Sequence, residues 1–438
     1  MPREAGPTTA YTNNRADGGN IIYGDVNGDV HFPGSDDSAA RSADNQCLRD
    51  LRVTDPREDR ARIEGDKDRL LKDCYAWILD DSNFQRWRTQ DEARLLWIKG
   101  DPGKGKTMMT MGVIDELSQP RPPHEAMPEA PVLTDNPTPL LSFFFCQNTV
   151  PTLNNAVSVL RGLIYMLAKK RPDLLRYVLE DYTVAGKHLF EGPNAVYSLQ
   201  NILLDMLHDA SLPPTYLLID ALDECTSGLS ELVHVITRAS LGQRSRVKWL
   251  VTSRNIPEIE RHLQPDSAGV KVSLEVRASY VSRAVVAFVE YKVQQLATVH
   301  KYSLELQAEV QQQLRDKAEG TFLWVSLVCK ELEKVPLYRT RTVLQALPPG
   351  LDPLYERMMA QIEAQDVETA GYCRDILQSL TLAFRPLQLE ELTVAAGLPK
   401  EWFNDVQAVV DLTGRCGSFL TVTAGRCLTG QQRKSRDE

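Results

Sequence analysis

The chain has no long hydrophobic run. Across 438 residues no apolar stretch reaches the ~18 residues that a membrane span needs. Met1 to Tyr11 has no apolar core, so no secretion signal is expected. Cysteine is sparse and scattered: Cys47, Cys74, Cys146, Cys225, Cys329, Cys373, Cys416 and Cys427 form no C-x-x-C pair and no zinc-ligand spacing. That usage predicts reduced thiols and a cytoplasmic protein. A surplus of positive charge is missing as well. The net charge of -9 argues against binding nucleic acid through a broad basic face. No internal repeat is visible, and no histidine follows His300.

What is present describes a globular protein. Apolar residues make up 42% and charged residues 25%, and the length suits two or three domains with their own cores.

The most informative stretch runs from Leu95 to Thr107, LLWIKGDPGKGKT. Leu95-Leu96-Trp97-Ile98 reads as a buried strand, and Met108 to Leu117 suits a helix. Between them Gly100, Gly105, Lys106 and Thr107 fit the phosphate-loop pattern G-x-x-x-x-G-K-[ST]. The chemistry needs these residue types. Gly100, Gly103 and Gly105 allow a tight turn whose N–H groups point inward. Those amides, from Gly100 through Asp101, Gly103, Lys104 and Gly105 beside Pro102, cradle phosphate with the helix N-terminus behind them. Lys106 adds a cation for the β- and γ-phosphates, and Thr107 a hydroxyl for Mg²⁺.

Two later strands complete the pattern. Thr215 to Asp220 is an apolar strand that ends in acid, followed by Ala221-Leu222-Asp223-Glu224. An aspartate there places a carboxylate at the C-terminal edge of a sheet, beside the phosphate loop. Asp220 is the candidate for Mg²⁺, and Asp223 or Glu224 for orienting or activating water. Arg246 to Arg254 is a further buried strand, ending Thr252-Ser253-Arg254. Arg254 has two readings: a cation that senses the γ-phosphate, or a surface arginine. Strands at 95–99, 140–145, 215–220, 246–254 and 270–276 alternate with helical patterns. The expected fold class is therefore α/β: a P-loop NTPase with a mostly parallel sheet over 95–276.

The flanks differ. Residues 1–46 are rich in Gly, Asn, Asp and Ser and read as a disordered arm. Within it, residues 13–32 mix β-formers with Asn-Gly and Gly-Asp turn pairs. They read either as a short strand set for cross-β stacking or as a solvated leader. Residues 47–94 read as a helical lead-in, with a helix start at Thr54-Asp55-Pro56 and a break over 82–87. Seven prolines between Gln119 and Pro139 mark a surface loop. Residues 277–350 form a helical domain. Helix, helix, strand over 351–425 suits a winged-helix-like region, with no basic cluster on its recognition helix, and residues 426–438 read as a disordered tail.

Together these motifs resemble the NACHT class of signal-transducing (STAND) NTPases, specifically the fungal NOD-like receptors and heterokaryon-incompatibility proteins of the HET-E-like type. The resemblance is carried by Cys47 to Leu51, Thr54 to Arg57, Ile63-Glu64, the phosphate loop, Leu218 to Cys225 and Thr252 to Arg254. It continues through Gly320 to Val325 and Leu351 to Met359, and covers roughly residues 47–422. It implies a nucleotide-gated switch that binds and slowly hydrolyses ATP or GTP, with Mg²⁺, and oligomerises on activation in programmed cell death and innate immunity. It implies that Gly100, Gly105, Lys106 and Thr107 bind phosphate and Mg²⁺, Asp220 binds Mg²⁺, Asp223 and Glu224 serve hydrolysis, and Arg254 is the sensor. Residues 13–32 resemble amyloid signalling motifs that template an effector protein. The absent Asn-Lys-x-Asp signature leans toward adenine. The family usually continues into a His-containing strand and repeats, so this chain is expected to lack the C-terminal repeat domain. Other readings are a small-molecule kinase, or an interaction scaffold with a passive NTPase fold.

Overall fold

The computed structural model describes residues 35–66, 70–119, 139–241, 246–263, 269–383, 385, 387–403, 405–416, 419–423 and 426–429. Residues 13–32, expected to resemble amyloid signalling motifs, and most of the proline-rich loop lie outside the described residues. Residues 1–45 and 46–438 form separate compact units. The described part of the first is the opening of α1 (Ser35–Leu51). No helix among the described residues is long and apolar enough to cross a membrane.

The lead-in is helical: the end of α1, then α2 (Pro56–Asp66), α3 (Lys72–Leu79) and α4 (Ser82–Thr89). The helix α4 stands where the sequence predicts a break. Asp81 caps it by accepting from the Asn83 N–H at 2.8 Å, and the pair Phe84 and Trp87, three apart, buries its inner face. Eight residues are too few for apolar spacing to register as a helix.

The start of α2 does follow local chemistry. Pro56 suits the first helical position, and Asp55 before it accepts from the Arg57 N–H at 3.0 Å and from its guanidinium at 2.9 and 2.6 Å. That guanidinium holds the Asp55 carboxyl below its ordinary value. The sign follows. A depressed carboxylate adds stability above its unfolded pKa, and the contribution is lost as pH falls through the lower folded value. Asp55→Asn is therefore expected to lower the thermal midpoint at pH 6 and to flatten its fall toward pH 3, as read by circular dichroism.

The central sheet is made of β1 (Leu95–Lys99), β2 (Leu140–Phe145), β3 (Thr215–Asp220), β4 (Val247–Ser253) and β5 (Gly269–Ser273). The order is β2-β3-β4-β1-β5, and every pairing is parallel. Parallel strands covered on both faces read as continuous apolar runs, as LLWIK and LLSFFF do. Trp97 on β1 and Trp249 on β4 are fully buried. Each contributes about 4–6 kcal/mol of transfer free energy as an upper bound. Helices α5 (Lys106–Ser118), α6 (Ala156–Lys170), α7 (Arg176–Ala185), α8 (Ala195–His208), α9 (Leu229–Leu241) and α10 (Pro257–His262) connect and cover the strands.

Beyond β5 the chain is helical: α11 (Ala278–His300), α12 (Leu304–Lys317), α13 (Phe322–Glu333), α14 (Thr340–Ala346) and α15 (Leu351–Glu363). Then α16 (Val367–Leu382), β6 (Leu387–Gln388), α17 (Leu389–Ala395), α18 (Val406–Arg415), β7 (Leu420–Thr423) and β8 (Arg426–Thr429) follow. The antiparallel sheet β6-β8-β7 and α16–α18 enclose a second core around Cys373, Ile376 and Leu392. Arg426–Thr429 thus forms a strand where the sequence predicts the start of a disordered tail. Its partners are β6 and β7, and only pairing across the fold makes so short a segment a strand.

Candidate nucleotide site

Three chain segments meet at the C-terminal edge of the sheet. The first is the loop after β1. Lys99 lies opposite Ser253 of β4, and the Gly100 N–H donates to the Ser253 carbonyl at 3.2 Å. Gly103 and Gly105 take left-handed backbone, with φ of +73° and +82°. The turn delivers Lys106 and Thr107 to the first positions of α5, both buried. The Lys106 ammonium donates to the carbonyls of Gly100 at 2.8 Å and Asp101 at 3.0 Å. It is thereby fixed across the loop that its own backbone forms.

The second segment is the end of β3. Asp220 is buried, and its Oδ1 accepts from Thr110 Oγ1 at 2.8 Å and from Thr252 Oγ1 at 2.7 Å. Thr110 stands one turn after Thr107 on α5, so this bond ties the phosphate-loop helix to the acidic strand end. Thr252 in turn accepts the Ala221 N–H at 2.9 Å. Ala221 sits at φ +54°, a left-handed conformation that costs a residue with a β-carbon about 1–2 kcal/mol. The kink ends the strand and starts the short turn Leu222–Glu224.

The third segment is the end of β4. Arg254 is folded onto the acids: its backbone N–H donates to Asp223 Oδ1 at 3.0 Å and its Nε lies 3.0 Å from Asp223 Oδ2. Its Nη2 lies 3.7 Å from Glu224 Oε1. The other Glu224 oxygen accepts the Asn148 N–H at 2.9 Å. Asp223, Glu224 and Arg254 therefore form one cluster, with Asn148 beyond β2 as its anchor.

The amides of two residues in the predicted cradle, Gly100 on Ser253 and Asp101 on Glu275, are engaged elsewhere, and so is the Lys104 side chain. The Asp101 N–H donates to Glu275 Oε1 at 2.7 Å, and its carboxylate accepts from Asn255 Nδ2 at 2.9 Å. Lys104 turns its ammonium to the helical region, onto the carbonyls of Glu319 and Gly320, each at 3.1 Å. Pro102 has no N–H to offer. The glycines also serve packing. A β-carbon on Gly100 would lie 2.8 Å from Leu274, and one on Gly103 2.8 Å from Leu323.

The donor set suits Mg²⁺. Thr107 Oγ1 is buried with no hydrogen-bond partner among the described residues, close in sequence to the Thr110 that holds Asp220. A hydroxyl and a carboxylate are hard oxygen ligands that leave positions for water and phosphate, as Mg²⁺ prefers. Among the described residues no group of three or more His, Cys, Asp or Glu could hold a metal alone. Thiol chemistry is disfavoured here. Burial pushes the Cys146 thiol well above its ordinary value, and the nearby acids push it the same way. Burial lifts Cys225 to about 12.

Thr110, Asn148, Thr252, Asn255 and Glu275 join the site beyond the residues that the sequence predicts. Thr252 lay inside the Thr-Ser-Arg strand end, and Thr110 at helical spacing from Thr107, so both carried a signal. Asn148 and Glu275 reach the site through other strands and carried none.

Residues 73–254 match the family model described as Nephrocystin 3, N-terminal. The match ends on Arg254. The chain is 43% identical over 406 residues to the vegetative incompatibility protein HET-E-1 of Podospora anserina. The alignment covers 90% of this chain and 29% of that protein, so the chain spans under a third of its relative's length. Similar solved structures include a Signal Transduction ATPase with Numerous Domains (STAND) protein with a tetratricopeptide repeat sensor from Pyrococcus horikoshii. It is 12% identical, with a TM-score of 0.38 over 82% of this chain and 42% of that one. Another is Cdc6p from Pyrobaculum aerophilum, 11% identical, with a TM-score of 0.34 over 84% of this chain and 94% of that one.

Proposed function

Because this chain is a HET-E-like protein of the NACHT class, we propose that it is a nucleotide-dependent switch that binds a nucleoside triphosphate and hydrolyses it slowly. The observation that carries this reading is the meeting of the Lys106 loop, the buried Thr107 hydroxyl and the Asp220 carboxylate at one sheet edge, linked through Thr110. Lys106 and the α5 N-terminus bind the phosphate tail. Thr107 and Asp220 hold Mg²⁺, which offsets phosphate charge when bound. Glu224 orients the attacking water. Asp223 holds Arg254, which turns toward the γ-phosphate when that group is present. The phosphate state then sets self-association in a vegetative-incompatibility response, with residues 13–32 engaging an effector. Adenine is the preferred base.

The test is titration of the full chain with fluorescent ATP and GTP analogues, with and without Mg²⁺. Saturable binding that weakens at least about tenfold when EDTA removes the metal is the expected result. Phosphate release should need no acceptor. Transfer of the γ-phosphate to a small-molecule acceptor, much faster than to water, would make the protein a kinase instead. No saturable binding would remove the proposal.

A further inference from the structure

The second core gathers three thiols from three elements. Cys373 lies on α16, Cys416 caps the end of α18, and Cys427 lies on β8, the central strand of the small sheet. All three are fully buried. They are no metal site, since no group of three such ligands among the described residues could hold an ion. Two of them form a pair: the Cys373 and Cys416 thiols are in hydrogen-bonding contact. Cys416 Sγ also lies 3.8 Å from the Leu412 carbonyl, one turn back on α18.

The pair adjoins a cavity of about 260 Å³ between the ends of α13, α15 and α18. Cys416 and Arg415 form part of its wall, with Met358, Ile362, Gln365 and Lys334. The Gln365 side-chain amide donates to the Arg415 carbonyl at 2.9 Å and holds that wall in place. The space is several times the ~30 Å³ that a water molecule takes, so a peroxide fits. A peroxide there is one side chain away from Cys373.

We propose that Cys373 and Cys416 are a redox-sensitive pair, which a peroxide entering the cavity beside Cys416 converts into an intramolecular disulfide tying α16 to the end of α18. The proposal does not depend on the nucleotide site. Two sulfurs already in contact need only close to the ~2.05 Å of an S–S bond. The hydrogen bond from Cys416 holds the Cys373 thiol below its ordinary value, and the charge of Arg415 adds to this. Burial pushes Cys74 and Cys225 the other way, to about 12, and Cys146 well above its ordinary value. The reaction therefore starts at Cys373. Its thiolate attacks one peroxide oxygen, the O–O bond breaks, and the hydroxide that leaves takes up the proton Cys373 lost, giving sulfenic acid and water. The Cys416 sulfur then attacks the sulfenic sulfur, and its proton departs with the hydroxyl as a second water. Two S–H bonds and one O–O bond are lost, one S–S bond forms, and two electrons pass to the peroxide. In a reducing compartment such a bond is transient, as a redox-sensing bond must be.

Peptide mapping of the folded full chain tests this. The protein is reduced, freed of reductant, exposed to hydrogen peroxide and alkylated. A link between the peptides of Cys373 and Cys416 is expected, formed at least about tenfold faster than Cys146 or Cys225 is oxidised, and reversed by dithiothreitol. Amide exchange over residues 406–416 should slow about threefold or more in the linked protein. Cys427→Ser should keep the link. Cys416→Ser, which keeps a hydrogen-bond donor, should lose it and leave Cys373 as a sulfenic acid that dimedone traps. A link to Cys427 instead, a link formed only in denaturant, or oxidation no faster than at Cys146 and Cys225 overturns the proposal. Unchanged exchange in the linked protein overturns the tie between the helices. Should Cys416→Ser fail to fold, the wild-type map decides alone.

Discussion

Lys106→Ala will weaken nucleotide binding at least about 100-fold, or ~2.7 kcal/mol. The reason lies in where the ammonium sits. Lys106 is 2% exposed and held over the loop by the Gly100 and Asp101 carbonyls. A cation already desolvated and aimed loses little on meeting phosphate, so its bonds to charged oxygen keep most of their strength. Alanine removes the charge and leaves two loop carbonyls without their donor. Lys106→Met keeps the stem's volume and separates charge from packing. Its loss should match alanine's within about 1 kcal/mol. Isothermal titration with the Mg²⁺–ATP complex reads both variants. Equal affinity in wild type and Lys106→Ala would favour a passive scaffold over a switch.

Asp223→Ala with Glu224→Ala will slow phosphate release about 100-fold or more while changing nucleotide affinity less than about fivefold. The two acids sit beyond the kink at Ala221, in the short turn Leu222–Glu224, and are no part of the phosphate-loop pattern. Their loss should therefore fall on the chemical step. The single variants divide the effect. Glu224 is anchored by the Asn148 N–H, so its carboxylate has a fixed direction in which to order water. Both oxygens of Asp223 face Arg254. Glu224→Gln should account for most of the loss. Asp223→Ala should act through a released Arg254, with a smaller loss and a weaker preference for triphosphate over diphosphate. Single-turnover phosphate release and paired ATP and ADP titrations measure these. Unimpaired hydrolysis in the double variant would show that the roles are misassigned.

Much of this protein was legible in its sequence. The strand–loop–helix around Gly100 to Thr107 is local, and its glycines and helix start are set by neighbouring residues. The buried strands LLWIK, LLSFFF and TYLLID announce themselves because a parallel sheet covered on both faces admits little but apolar side chains. The acid at the tip of β3 follows from the same reading. Short elements escaped it. The helix α4 depends on one capping aspartate and two buried aromatics, and β8 exists only because β6 and β7 flank it.

The sequence alone set the phosphate-loop pattern of Gly100 to Thr107 and roughly where the sheet ends, because those are decided within a dozen residues of chain. The tertiary structure alone decided what those residues touch. Lys104 meets Glu319 across 215 positions, Asp220 meets Thr110 across 110, and Glu224 meets Asn148 across 76. No local pattern encodes such contacts, since they form only when separate elements pack and buried polar groups must find partners.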